Sequence, residues 1–477
     1  MKKRFLMILS LILCFACLFG CVKSNTPSGD SETKLTTDIE KQSDMESETD
    51  EVTETESQVE SETETDKASE TESESESETE TELQTESQTE TESQTESQTE
   101  SQTETQTEKE TEPEPVIPVP GKTPATETLT AKTYDLSEDN GQIRYIGRSK
   151  ACEDGIICDH SASGIEFQGY FTGDVILSVN AIKDNSYYTV YIDDVRVEDR
   201  FSAWLGCENN LRLATFNDSC FHKIKILKQT EVGWSGSTFE TLEVTGYLTE
   251  APEDRKFYFE FYGDSLTSAF GNIGKPGDEP SDSPLYQDAT QSYGFLLSEF
   301  VGADCSILAM SGVGLSEGYY PQPYLNYFSK YSHLRGNEEF EFEGARVPTL
   351  AVIHLGANDE TVGDDPNNQR GYGENTGRFK ENFKNKAKEL ISYIRDGYNT
   401  DVPIIWAYDP WEGVPNYIQE VLDELGGEAN GLYIVELKWN GISGYTGAGT
   451  HPSVAAHDAH SYILAEHIVD KMIEILR

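Results

Sequence analysis

The chain has 477 residues, and its 87 Asp and Glu against 36 Lys and Arg give a formal charge of −51 and an isoelectric point near 4.3. So strong an excess of negative charge repels phosphate backbones and excludes nucleic acid as a partner. The length allows two or three domains, but the composition shows that a large part of the chain is not globular.

In chain order, a basic start, Met1-Lys2-Lys3-Arg4, is followed by an apolar stretch from Phe5 to Gly20. It is too short and wrongly flanked for a stable membrane helix and reads as a secretory signal over 1–21. Its end, Leu18-Phe19-Gly20-Cys21, resembles a bacterial lipoprotein cleavage box. That resemblance implies lipidation at Cys21 and a cell-surface, extracellular protein that touches the membrane only through its lipid. Residues 22–125 are built mostly of Glu, Thr, Ser and Gln, with Thr-Glu-Ser-Gln recurring, and carry about half of the net charge. Such a segment has too little apolar surface to offset its chain entropy, so it reads as a disordered, self-repelling tether. Pro113, Pro115, Pro118 and Pro120 stiffen its last part.

Residues 126–252 alternate with period two. Val175, Leu177, Val179 and Ala181 face one way, and Tyr188, Val190 and Ile192 repeat the pattern. Short strands between Gly, Asn and Asp turns predict an antiparallel β-sandwich of jelly-roll type. It could bind sugar or simply pack against its neighbour, and packing is the simpler reading. Cys152, Cys158, Cys207 and Cys220 allow local pairs 152–158 and 207–220, or four free thiols.

Over residues 253–477 the period changes. Apolar strands at 257–262, 306–310, 350–355, 404–408 and 432–437 alternate with helical segments, one marked by Phe379, Phe383, Ala387, Leu390, Ile391 and Ile394. This predicts an α/β fold, a parallel sheet covered on both faces, with its ligand beyond the carboxyl ends of the strands.

The residues that carry chemistry stand at those ends. Gly263-Asp264-Ser265-Leu266 follows the first strand, Ser311-Gly312-Val313-Gly314 the second and Gly356-Ala357-Asn358-Asp359 the third. Thr450-His451-Pro452 precedes the last helix. A serine on a sharp strand-to-helix turn exposes its hydroxyl while nearby backbone N–H groups stay free, which suits a nucleophile beside an oxyanion hole. This order of serine, glycine, asparagine and histidine resembles the SGNH (GDSL) hydrolase superfamily, and the likeness runs from Lys256 to the end. It implies a three-layer α/β/α domain with Ser265 as nucleophile and His451 as its base. The N–H groups of Ser265 and Gly312 and the amide of Asn358 would form the oxyanion hole.

The aspartate that most such enzymes place three residues before the histidine is here Ala448, so a main-chain carbonyl is expected to orient the ring. An alternating-strand domain ahead of an SGNH domain without that aspartate resembles carbohydrate esterase family 2. Ser163-Gly164-Ile165-Glu166-Phe167 and Tyr188-Thr189-Val190-Tyr191-Ile192-Asp193 look like its first domain. The resemblance implies a monomeric esterase without a cofactor that removes acetyl groups from acetylated plant polysaccharide such as xylan or glucomannan. Another acyl ester as substrate, or a surface protein that only binds glycan, stay open as alternatives.

Trp406, Trp411, Trp439, Tyr319 and Tyr320 lie where aromatic faces could stack on sugar, Trp411 being the favoured residue. No metal is expected: there is no Cys/His zinc spacing, and the acidic loop from Asp359 to Asn368 lacks the pattern of a calcium loop. No glycine-rich phosphate loop is present. His354, His457, His460 and His467 read as core or helix-surface residues.

Overall fold

The computed structural model describes residues 118–476 apart from 139–140, 280–283, 364–375, 411 and 439–441. All of them belong to one compact unit, Thr107–Arg477. The signal peptide, Cys21, the tether up to residue 117, most of the acidic loop, Trp411 and Trp439 lie outside the described residues.

The first ten strands are β1 (Ala131–Asp135), β2 (Ile143–Ile146), β3 (Lys150–Cys152), β4 (Gly155–Ile157) and β5 (Gly164–Ile182), then β6 (Ser186–Ile192), β7 (Val195–Arg196), β8 (Phe201–Ala203), β9 (Asn209–Lys228) and β10 (Gly236–Leu248). All their pairings are antiparallel, and they join one branched hydrogen-bonded network with the central order β3-β4-β10-β5-β9-β6-β7. β5 and β9 are much longer than an ordinary strand and are interrupted by register shifts, which bend and twist long strands. The predicted inward set Val175, Leu177, Val179 and Ala181 is buried in one core with Phe167, Phe171, Phe239 and Leu242. All five cysteines from 152 to 305 are free thiols, so neither local disulfide forms.

The second sheet is parallel throughout: β11 (Phe257–Gly263), β12 (Ala303–Ala309), β13 (Leu350–His354), β14 (Ile404–Tyr408) and β15 (Leu432–Glu436), in the order β12-β11-β13-β14-β15. Each differs from its predicted range by three residues or fewer. Among the described residues seven α-helices accompany them: α1 (Ser265–Ser268), α2 (Tyr293–Val301), α3 (Tyr324–Phe328), α4 (Ala357–Gly363), α5 (Thr376–Tyr398), α6 (Pro415–Glu424) and α7 (Val454–Lys471). Successive strand residues point to opposite faces. Tyr262, Ile353 and Trp406 pack with Phe383, Leu390 and Ile394 of α5 and Ile418 of α6. Phe261, Val352 and Ile405 pack with Leu297 of α2 and Leu464 and Ile468 of α7. Burial on both faces is why these strands read as continuous apolar runs.

The two sheets meet through buried charge. Arg144 of β2 donates to Glu166 of β5 at 2.9 Å and to Asp304 of β12 at 2.8 Å. In the other direction Arg335 forks onto Asp159 at 2.8 and 2.9 Å. Arg196 reaches Asp288 at 2.6 Å, and a single bridge pairs Ser161 with Ile307. Bidentate and doubly shared guanidinium groups fix orientation as well as distance.

Candidate active site

Ser265 opens α1 directly after β11. The turn is tight: a side chain on Gly263 would put its Cβ 2.0 Å from Thr267 Oγ1, so glycine is required there. Asp264 caps the helix, its carboxylate accepting the N–H of Leu266 at 3.0 Å. Burial pushes this carboxyl up to about 7. The N–H of Ser265 makes no hydrogen bond within the described residues, as expected at the first position of a helix.

Gly312 lies three residues beyond β12 at φ +78°, the left-handed region that glycine enters without strain. A Cβ there would press on Tyr319 and Tyr320 at 3.4 Å. Its N–H is likewise without a hydrogen bond. The loop is gripped at both ends. Asp359 of α4 accepts the N–H groups of Leu315 and Ser316 at 2.7 Å, that of Glu317 at 2.9 Å and the Ser316 hydroxyl at 2.8 Å. At the other end, Glu231 accepts both the N–H and the hydroxyl of Ser311 at 2.9 Å.

Glu231 comes from the turn between β9 and β10, in the antiparallel sheet, and its carboxyl is pushed up by burial. Fully buried Lys228 holds that turn, donating to the carbonyls of Thr230 at 2.6 Å and Asp159 at 3.1 Å, while Gln287 accepts the Glu231 N–H at 3.0 Å. The same turn presents Trp234, whose ring stacks on Phe270 with centroids 6.3 Å apart.

His451 stands in a loop with two consecutive left-handed residues, Gly449 at φ +56° and Thr450 at φ +61°. For β-branched Thr450 this costs about 1–3 kcal/mol, which the surrounding packing must offset. The ring nitrogen Nδ1 is 2.9 Å from the carbonyl of Gly449. A carbonyl can only accept, so Nδ1 carries the proton and Nε2 is left as the base. The main-chain carbonyl thus takes the orienting place, as expected. Ala448 is fully buried, its N–H bonded to Gly271 at 2.9 Å and its methyl packed on Gly274, so no carboxylate fits there. The ring is half-buried, its centroid 4.8 Å from that of the steeply inclined Phe270 ring, and burial lowers its pKa from the usual 6.5.

These segments converge. Ser265, Gly312, Asn358 and His451 line one cavity of about 480 Å³ together with Glu231, Trp234, Phe270, Tyr319, Tyr320 and Lys183. Ser265, Asn358 and His451 also form one wall of a second recess of about 320 Å³, completed by Thr361, Tyr445 and Pro452. Asn358 brings a difference. Its Nδ2 already donates to Asp264 at 2.9 Å and to the carbonyl of Val313 at 3.0 Å, so both amide hydrogens are engaged and any bond to a substrate must be shared.

Among the aromatic candidates, Trp406 is fully buried, with its indole N–H on the Leu355 carbonyl at 3.2 Å, and serves packing. Tyr319 and Tyr320 are exposed and face the cavity. Sequence reasoning missed Glu231, Trp234 and Lys183, because it left open whether the antiparallel part binds sugar, preferred packing, and named no residue there. The only cue was a tryptophan flanked by glycines, Gly233 and Gly236, in a turn between long strands.

No family model matches the chain. It is 26% identical over 346 residues to the cellulase/esterase CelE of Acetivibrio thermocellus, a match covering 70% of this chain and 40% of that protein. It is 25% identical over 268 residues to an acetylxylan esterase/glucomannan deacetylase of Cellvibrio japonicus, covering 52% of this chain and 69% of the relative. The chain therefore spans well under half the length of the first of these relatives. In fold it is similar to a family two carbohydrate esterase from Clostridium thermocellum solved with cellohexaose, at TM-score 0.60 and 24% identity over 69% of this chain and 99% of that one. An acetyl xylan esterase from Butyrivibrio proteoclasticus superposes at TM-score 0.62 with 16% identity, over 72% of this chain and 99% of the other.

Replacing Glu231 by Ala should lower kcat roughly tenfold or more while changing KM less, because it releases the loop that aims the Gly312 N–H. Steady-state kinetics on a small acetyl ester would check this, and an unchanged kcat would show that the loop holds its place without Glu231.

Proposed function

We propose that the chain is a carbohydrate esterase, similar to the family two enzymes, that removes O-acetyl groups from hemicellulose such as xylan or glucomannan. One observation carries the reading: a serine, and a histidine whose Nε2 is left as the base, line the same cavity as two unbonded backbone N–H groups. In this mechanism His451 Nε2 takes the Ser265 proton as the hydroxyl attacks the acetyl carbonyl. The N–H groups of Ser265 and Gly312 stabilise the oxyanion, each contributing about 3–4 kcal/mol to the transition state. The imidazolium then protonates the departing sugar oxygen, releasing it as a hydroxyl, and water, deprotonated by the same ring, hydrolyses the acetyl-enzyme. Asn358 keeps Asp264 and the Gly312 loop in register and adds a third donor when one of its bonds is shared. The larger cavity, with Trp234, Tyr319 and Tyr320, takes the sugar, whose apolar face suits aromatic rings. Trp411 is retained as a candidate for stacking on the sugar.

The reading extends to the rest of the chain. Residues 1–21 export it, Cys21 carries the lipid, 22–125 tether a monomeric head at the cell surface, and 126–252 form a jelly-roll sandwich ahead of the catalytic part at 253–477. Incorporation of labelled fatty acid by the wild type, and its loss in Cys21→Ala, would support the anchor; equal labelling would refute it.

Acetate release from acetylated xylan and glucomannan should exceed that from unrelated acyl esters, and Ser265→Ala should reduce it at least about 10³-fold. Wild-type rates in that variant would end the serine assignment, and glycan binding without hydrolysis by both proteins would favour the binding alternative. Burial disfavours the imidazolium of His451, and no carboxylate offsets this, so the base form persists into more acidic solution. The acid limb of kcat/KM should therefore have its midpoint below 6.5, and a midpoint above that would contradict the isolation of the ring.

A further inference from the structure

At the carboxyl ends of β13 and β14 lies a group of side chains that the proposed esterase mechanism does not use. His354 ends β13, Asp409 follows β14, and Glu412 sits three residues further on. All three are buried, the exposure of the first two being 1% and 0%. The Nε2 of His354 is 3.3 Å from Asp409 Oδ2 and 3.4 Å from Glu412 Oε1, yet makes a hydrogen bond to neither. Asp409 Oδ2 and Glu412 Oε2 also lack any hydrogen-bond partner. On the other side of Asp409, His460 of α7 directs an unpaired Nε2 to within 4.0 Å of Oδ1.

Charge sharpens the point. Among the described residues no Lys or Arg pairs with Asp409 or Glu412. Two buried carboxylates faced by imidazoles, with no Lys or Arg beside them among the described residues, keep a net negative charge even with one ring protonated, which a bound cation would offset. His354 Nε2 thus stands 3.3 and 3.4 Å from the two carboxylate oxygens, close to the ligand–ligand separation that tetrahedral coordination at about 2.1 Å requires.

We propose that His354, Asp409 and Glu412 bind one divalent transition-metal ion of the zinc type, with His460 as the nearest further donor. Its formal charge cancels that of the two carboxylates, and the nitrogen-containing set favours zinc over calcium or magnesium. The ion is structural. It ties the ends of β13 and β14 together and, through the Tyr445 hydroxyl that donates to Asp409 at 3.2 Å, steadies the segment leading to His451. The ligands are spread over residues 354, 409, 412 and 460, in no zinc spacing that a sequence reveals.

The test uses the full chain produced with zinc in the medium. Elemental analysis should find about one zinc per chain, chelation should lower the melting temperature, and added Zn²⁺ alone should restore it. Glu412→Gln, which keeps the volume, and His354→Asn should each weaken zinc binding tenfold or more and abolish the zinc-dependent shift. A wild type without zinc whose melting temperature ignores Zn²⁺ would overturn the proposal, leaving a protonated His354 between the carboxylates. So would zinc bound equally well by wild type and Glu412→Gln, since the ion would then lie elsewhere.

Discussion

Two buried carboxylates hold the loop after β12, and the geometry of the cavity follows from that grip. Asp359 takes four donors at one end of the loop and Glu231 takes two at the other, so Gly312 between them is fixed on the cavity wall with its N–H free of any hydrogen bond among the described residues. Burial raises the cost of ionising both acids, and the Asp359 carboxyl is pushed up to about 6 in spite of its donors. A charge-assisted hydrogen bond in such a setting is stronger than in water, which is what a preorganised donor for an oxyanion needs.

The grip also explains why the antiparallel sheet cannot be a passive neighbour. Glu231 and Trp234 are held by Lys228 and Gln287, and the sheet that carries them is fixed by Arg144, Arg196 and Arg335. Errors in that orientation would pass directly to the loop. The parallel sheet supplies Ser265, Gly312 and Asn358 at the ends of adjacent strands, β11, β12 and β13, and leaves one side of the cavity to be built by the other sheet.

What the sequence made legible was local. Apolar runs of five or six residues placed the five parallel strands, and the helical spacing of Phe379 to Ile394 placed α5, because buried strands and amphipathic helices each impose a period. Ser265, Gly312, Asn358 and His451 stood out because each follows a strand or precedes a helix with its own turn residues. What stayed hidden was tertiary. The engagement of both Asn358 hydrogens depends on Val313 and Asp264 coming together, and the packing of Ala448 depends on Gly271 and Gly274. Trp406 reads like its exposed counterparts until the sheet shows it facing α5. The roles of Glu231 and Trp234 required knowing that a turn near residue 231 meets a loop near 311, and nothing in the spacing of either encodes that.

The turn between β9 and β10 has a consequence for how such a chain can be rearranged. A catalytic half excised or recombined without it would keep the serine and the histidine but lose one side of its binding cleft and the anchor of its oxyanion loop. The two halves therefore behave as a single inheritable part. On the proposed esterase reading, exchanging the antiparallel part for that of a relative would be a way to alter which glycan is accepted, with the reacting atoms left untouched.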